Sequence, residues 1–461
     1  MIARLAGLLT RWAIRWVPDS FVIAILLTVV VFALTLAVTA STPLQVVQYW
    51  GDGLWELLSF GMQMCLVVLT GFVVAVSPPV KRALVAVARI GRTPRQSIAV
   101  VAVTSMALAW LNWGLSIVAS AMLARNVARR GHGVDYRLLV TTAYLGMGCV
   151  WHAGLSGSVF LLVATPGHFM AKEIGVIPVT RTLFSPFNLG LTVVVIAVMT
   201  ALAVWLHPAP EDAYVARPDE VPDDSDGVEP VAGGGANAGD TVNTGDGLTM
   251  VRPSFVQRVE RSRLVMLVPV VLGALWIYLN LRSKGPAGFN LNVLNLLFLV
   301  LGGLLHGTPA SFLRAAEEGG RYLWGIVIQF PLYAGIFGMI KFSELQTVIS
   351  GWLASFLSAG TYHTFVLWYS GVLNYIIPSG GSKWAIEAPY VLEAAHRLGA
   401  SIDPVITAYA WGDMMTDIIQ PFWAIPLLAI TRLQFRDIMG YALVFFLVYA
   451  AVVTGAFVLF G

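Results

Sequence analysis

Charge is scarce in this chain. Asp, Glu, Lys and Arg make up only 11% of its 461 residues, while 57% are hydrophobic. An ordinary soluble domain carries about 25% charged residues, so a soluble globular protein is excluded and a polytopic membrane protein remains. Cysteine is nearly absent. Cys65 and Cys149 both lie in apolar sequence, which excludes a disulfide framework or a cysteine zinc site and leaves core packing. There is no Walker A loop and no His-Glu-x-x-His. The Gly154–Ser158 run "GLSGS" has the outline of a nucleophile elbow, but no strand precedes it. Without a nucleotide-binding loop, any active solute movement draws on an ion gradient.

What charge there is falls unevenly. Residues 208–251 hold ten of the 25 acidic residues and one basic residue, Arg217, so the remainder is strongly basic. That excess belongs beside anionic headgroups on the cytoplasmic side. Its arginines are dispersed between apolar runs and form no stripe, so a nucleic-acid partner is not indicated. Residues 208–262, rich in Pro, Asp and Gly, read as a disordered acidic cytoplasmic linker. Arg4, Arg11 and Arg15 precede an apolar run from about Phe21 to Ala40. This run is too long for a signal peptide and long enough to span a bilayer, with the N-terminus cytoplasmic.

Apolar spans near 20–40, 54–77, 138–166, 186–207, 264–281, 290–306, 322–340, 403–430 and 438–460 suggest nine crossings. Two further stretches behave differently. Between Arg95 and Arg125 lie 29 uncharged residues, about 43 Å as one helix, and a straight crossing would put arginines on both sides. A fold-back at Asn112-Trp113-Gly114 returns both ends to the cytoplasm, with arms of about 15 residues. The second stretch turns at Pro378–Ser382, where proline and paired glycines break a helix. Counting crossings places this hairpin on the opposite side. Lys341, Arg282 and Lys284 then fall outside, against the positive-inside tendency.

The halves echo one another. "LNW" at Leu111–Trp113 answers "LNY" at Leu373–Tyr375, and "VDYRLLVTTAY" from Val134 answers "IDPVITAYAWG" from Ile402. Short amphipathic segments, 80–91 and 343–358, precede the two hairpins. The expected fold class is an all-α polytopic membrane protein with an inverted-topology repeat. Residues 1–207 and 263–461 form the repeats, each with a re-entrant hairpin, about 96–128 and about 363–395.

Broken helices in corresponding positions of inverted halves point to a transporter site, because freed amides suit a carboxylate and freed carbonyls suit a cation. The breaks are the two hairpin tips, "GMGCVWHAGLSGS" (Gly146–Ser158) and "WGDMMTDIIQPFW" (Trp411–Trp423). Asp413 and Asp417, one turn apart in a span, are candidates for binding a coupling cation or proton; the alternative is a structural pair or a salt bridge to Lys383. Lys383 meets a substrate carboxylate or snorkels at the hairpin mouth. His152 binds substrate, relays protons or is structural. Asn112, Ser116, Ser156 and Ser158 are candidate ligands, with backbone hydrogen bonding the plainer reading for the serines. Trp110, Trp113, Trp151, Trp384 and Trp423 offer apolar walls for a short hydrocarbon tail, or anchor and pack. An intramembrane enzyme would need His152 within about 3 Å of Asp413 or Asp417.

The runs "WLNWGLSIVASAMLARNVARR", "YLGMGCVWHAGLSGSVFLLVATPGH" and "LNYIIPSGGSKWAIEAPYV" resemble the bacterial short-chain fatty acid transporter family of the ion transporter superfamily. The resemblance covers nearly the whole chain outside the linker. It implies uptake of small monocarboxylates such as acetoacetate or butyrate across the bacterial inner membrane. It also implies a mobile transport domain moving elevator-like against a scaffold, a homodimer, symport with Na+ or H+, and no other cofactor. Position by position, it places Asn112, Trp113, Gly114 and Ser116 at the first tip, and Asn374, Ser379, Gly380, Gly381 and Ser382 at the second, with Lys383 following. His152–Ser158 and Gly412–Gln420 become unwound segments, and Na+ would sit near Asn112, Asp413 and Asp417. Sodium-dependent dicarboxylate relatives carry Ser-Asn-Thr at each tip. The tips here depart from that, which sets this chain apart from dicarboxylate recognition and from those sodium sites. A sodium-coupled dicarboxylate or other organic-anion carrier is the alternative.

Overall fold

The computed structural model describes residues 18, 20–131, 133–217, 220–221, 241–243, 248–250 and 254–460. Among these the chain is helical apart from a small antiparallel ribbon, Thr241–Asn243 with Leu248–Met250. Six helices are long and apolar enough to cross a membrane: Phe21–Val38, Leu58–Ala75, Pro186–Trp205, Arg263–Gly288, Trp324–Phe342 and Phe435–Phe460. Tyr136–Cys149 with Trp151–Val163 would make a seventh, bent by 40°. The runs expected at 290–306 and 403–430 become one 16-residue helix, Leu291–His306, and a broken element, Ile402–Met415, Asp417–Ile419 and Ile425–Thr431. Outward-facing Leu26, Val29, Leu264, Val268 and Leu272 present the apolar surface that a bilayer requires.

Both sequence breaks are helix breaks. The first pair is Pro94–Leu111 and Trp113–Ala128, with Asn112 extended between them. The second is Ala359–Ile376 and Gly380–Leu398. The arms of the first pair run 18 and 16 residues, longer than the 15 expected there, and those of the second 18 and 19. A proline starts Pro94–Leu111, where its missing N–H costs nothing, and Thr93 caps it. The first pair packs arm against arm, whereas Gly380–Leu398 packs more against Leu345–Phe356 and Trp324–Phe342 than against its own first arm. The two amphipathic segments fold as Pro78–Ala88 and Leu345–Phe356.

In each half the first arm lies along the broken span that follows it, and a glycine allows the close approach. Gly146 abuts the Ser105 carbonyl, and Gly412 the Leu367 carbonyl, nearer than any Cβ could fit. Much of the linker expected at 208–262 lies outside the described residues. Its beginning is packed: Ala216 and Val221 are buried, and the Tyr214 N–H donates to Asp135 at 2.8 Å. Lys341, an exception to the charge rule, is paired with Glu173 at 2.7 Å.

Candidate transport site

The second broken span builds the centre. The helix Ile402–Met415 stops at Thr416, whose hydroxyl donates to the Gly371 carbonyl at 2.8 Å, and a single 3-10 turn, Asp417–Ile419, follows. The interruption leaves Asp413 in the last helical turn and Asp417 just past it. Both are fully or almost fully buried. Gln420 turns its side-chain carbonyl back to accept the Phe422 N–H at 2.9 Å, closing the loop.

Lys383 enters from the second hairpin. Its ammonium lies 2.9 Å from Asp413 Oδ1, donates to the Ser370 carbonyl at 2.8 Å and to the Ser370 hydroxyl, and sits 4.4 Å above the Tyr409 ring. It has no solvent exposure. Snorkelling is therefore ruled out: the stem and the charge point into the protein, held by an ion pair, two hydrogen bonds and an aromatic face. Removing one partner of such a buried pair costs about 3–5 kcal/mol.

His152 completes the group from the first broken span. That span unwinds at Val150, makes one turn over Trp151–Ala153 and restarts at Ser158–Val163. His152 Nδ1 lies 2.8 Å from Asp413 Oδ2, and its ring stacks on Trp151 at 4.4 Å. Asp417 is held differently, by two neutral donors: the Trp151 indole at 2.8 Å and Asn374 Nδ2 at 2.7 Å. Both carboxylates thus tie the first broken span to the second hairpin. Pro186–Trp205 braces the junction from behind, where Asn188 donates to the Ala153 carbonyl at 3.0 Å and accepts from the Trp411 indole at 2.9 Å.

The tip glycines have a specific reason to be glycines. A Cβ on Gly380 would lie 2.6 Å from Asp413 Oδ2 and 2.8 Å from the His152 ring, and one on Gly381 would lie 2.8 Å from the Phe60 ring. The Gly380 carbonyl accepts the Tyr409 hydroxyl at 2.8 Å, and Ser379 donates to Ser382 at 3.0 Å. Ser382 is buried, as is Ser158, which borders Gly381.

The first tip is engaged elsewhere. Asn112 caps its second arm by accepting the Leu115 N–H at 2.9 Å, and it donates to the Val67 carbonyl at 3.3 Å. Ser116 donates to the Ser105 carbonyl at 2.8 Å, and Ser156 accepts the Trp113 N–H at 2.9 Å. Gly114 packs against the Val68 backbone. The structure therefore gathers His152, Asn374, Gly380, Lys383, Asp413 and Asp417. It assigns Asn112, Ser116 and Ser156 to backbone contacts. Trp423 links the tips, its ring 5.1 Å from Trp113 and its N–H donating to the Pro378 carbonyl at 2.8 Å.

The sequence reading passed over Glu387. It is fully buried, 3.6 Å from Lys383 and one turn farther along the same helix. Neither of its oxygens has a hydrogen-bond donor among the described residues. The signal was present in the Lys383-x-x-x-Glu387 spacing, which places the two on one helix face.

The sequence profile described as "Short chain fatty acid transporter" matches residues 1–460. A protein of Escherichia coli (strain K12), provisionally named a short-chain fatty acid transporter, is 38% identical over 445 residues, 96% of each chain. One from Haemophilus influenzae, named likewise, is 34% identical over 452 residues, again 96% of each. The chain belongs to the short-chain fatty acid transporter family. Two solved structures share its fold: the Alcanivorax borkumensis YdaH transporter, at 16% identity, a TM-score of 0.58 and coverage of 96% of this chain and 97% of that one; and Neisseria gonorrhoeae MtrF, described as illuminating a class of antimetabolite efflux pumps, at 15% identity, a TM-score of 0.61 and coverage of 100% and 96%. In a short-chain fatty acid transporter with several membrane-length helices, the His152–Asp413 pair belongs to a multi-pass membrane carrier of small molecules rather than to an enzyme. It meets the distance that acid–base catalysis would need, but distance alone does not make a catalyst.

Proposed function

We propose that the protein is a secondary active transporter of short monocarboxylates, of the acetoacetate and butyrate class, in the bacterial inner membrane. One observation carries this reading: a lysine with no solvent exposure, Lys383, stands beside a glycine tip at the meeting point of two broken spans. The substrate carboxylate meets the Lys383 ammonium and the amide end of Gly380–Leu398, where the helix dipole favours an anion. The short tail lies against Trp151, Trp384 and Trp423. Asp413 and Asp417 bind the coupling proton or cation, which offsets the cost of burying a second anion.

The matching arm-on-span packing of the two halves supports a repeat with re-entrant hairpins, which we read as inverted. Every charged member of the cluster is sealed from solvent, so access requires the elements around it to move. We read that movement as elevator-like alternation of a transport domain against a scaffold, in a homodimer whose N-termini are cytoplasmic.

Proteoliposomes test this. Labelled butyrate or acetoacetate should enter faster than into protein-free vesicles and should exchange with unlabelled substrate. A sodium or proton gradient should raise its accumulation; no response to either would refute ion coupling at the carboxylates. In a competition panel, monocarboxylates of two to five carbons should inhibit uptake and dicarboxylates should not. The reverse order would make the protein a dicarboxylate carrier.

A further inference from the structure

We propose that Glu387, rather than Asp413 or Asp417, carries the coupling proton of this site and that it takes up this proton when the substrate carboxylate claims Lys383. The inference deepens the transport reading above and rests on it.

The charge count raises the question. Three buried carboxylates, Asp413, Asp417 and Glu387, share one lysine, Lys383, and one histidine, His152. The three are not held alike. Asp413 has an ammonium at 2.9 Å and an imidazole nitrogen at 2.8 Å. Asp417 accepts from an indole and from an amide. Glu387 has only the Lys383 ammonium, at 3.6 Å, which it shares with Asp413. A buried carboxylate that loses its sole counter-charge has two courses, to remain as an uncompensated charge or to bind a proton, and the second costs far less.

Substrate binding forces that choice. An arriving carboxylate adds one negative charge and competes for the Lys383 ammonium. If Glu387 binds one proton at that moment, the net charge of the cluster is the same with and without substrate. One anion and one proton are then held together, and the proton leaves when the substrate leaves and Lys383 returns to Glu387.

The surroundings of Glu387 fit this role. Tyr390, one turn along its own helix, shares a hydrogen bond of 2.8 Å with Tyr369 on Ala359–Ile376, and both lie within electrostatic reach of Glu387. Tyr369 is partly exposed. Ala359–Ile376 also brings Tyr362, and Ile402–Met415 brings Asp413 and Tyr409, all within the same reach. Of the other helices packed here, Leu345–Phe356 and Ser158–Val163 carry no titratable side chain, and Trp324–Phe342 carries Tyr333 and Lys341, the latter paired with Glu173.

Calorimetric titration of the purified full-length protein with butyrate, in two buffers of different ionisation enthalpy, counts protons taken up per substrate bound. The wild type should take up about one, and its affinity should fall about tenfold per pH unit over the range where that uptake occurs, as linkage requires. Glu387→Gln should still bind butyrate, with uptake near zero and a flat pH profile, and Glu387→Asp should restore part of both. In proteoliposomes, Glu387→Gln should exchange labelled for unlabelled butyrate yet lose accumulation driven by a proton gradient. The proposal is overturned if the wild type binds without proton uptake, if Glu387→Gln keeps the uptake, or if Glu387→Gln neither binds nor exchanges, which would make Glu387 structural. A wild type that binds no short monocarboxylate would instead bring down the transport reading itself.

Discussion

The two hairpin tips, both expected to contribute substrate-binding residues, have unlike surroundings in the structure. The first, at Asn112, has its polar groups engaged with backbone: a cap on Leu115, a bond to Val67 and a serine bonded to Ser105. The second, at Gly380, opens onto Asp413, His152 and Lys383. Similar local breaks therefore serve different ends. One is a rigid joint whose neutral polar groups cancel locally. The other keeps ionised groups at high cost, and such cost persists in a membrane where function requires it.

Substitutions can break or sharpen this contrast. The largest effect belongs to Lys383→Ala, which strands Asp413 and Glu387. Uptake should fall by about 100-fold or more, with about 3–5 kcal/mol lost in thermal unfolding. Adding Asp413→Asn should cost less than the two single changes summed, with a coupling of about 0.5–3 kcal/mol. Equal effects from Asn112→Ala would erase the distinction between the tips.

Next comes the matched pair Gly380→Ala and Gly114→Ala. The first drives a methyl to 2.6 Å from the Asp413 carboxylate, whereas the second meets the Val68 carbonyl at 3.2 Å and asks for a shift of only a few tenths of an ångström. Uptake and melting temperature should suffer markedly in the first, by about 1–3 kcal/mol of overpacking, and little in the second. Asn374→Ala and Trp151→Phe each remove one donor from Asp417 and should cost about 1.5–3 kcal/mol. Asn112→Ala should cost about 1 kcal/mol of stability as a lost cap, with transport per folded molecule retained. The smallest effect is expected at the Arg181–Asp403 surface pair, where Arg181 is 60% exposed. Its loss should change stability by less than about 1 kcal/mol, and transport not at all.

The breaks were legible because proline, glycine and asparagine act locally. Asn112 and Pro378–Ser382 announce an interruption whatever surrounds them. Asp413 and Asp417 were legible because a carboxylate inside an apolar run has few innocent explanations. Glu387 was not, for a physical reason. It follows Lys383 at the spacing of an ordinary solvent-facing ion pair, and Glu393, His396 and Arg397 farther along make the helix look like a charged, exposed end. Depth inside the protein separates the two cases, and depth comes from packing against distant elements. The His152–Asp413 contact spans 261 residues, and no periodicity foretells it. The same limit hid the division of labour between the tips, since Asn112 is committed to Val67, a residue in another helix.

Trp423 gives this arrangement a temporal side. One indole grips the carbonyl of Pro378 by its N–H and presses its ring against Trp113, so it clasps both tips at once like a turnstile bar. Any swing of one tip relative to the other would have to break that bond or open that ring contact. The latch sits beside the charged centre and, in the reading proposed above, against the substrate's tail, so it bears on the speed of each turnover as well as on how firmly the passenger is held. A chain that exchanged this indole for a phenyl ring should change its tempo more than its cargo preference, since a phenyl ring still walls the tail but cannot donate to Pro378.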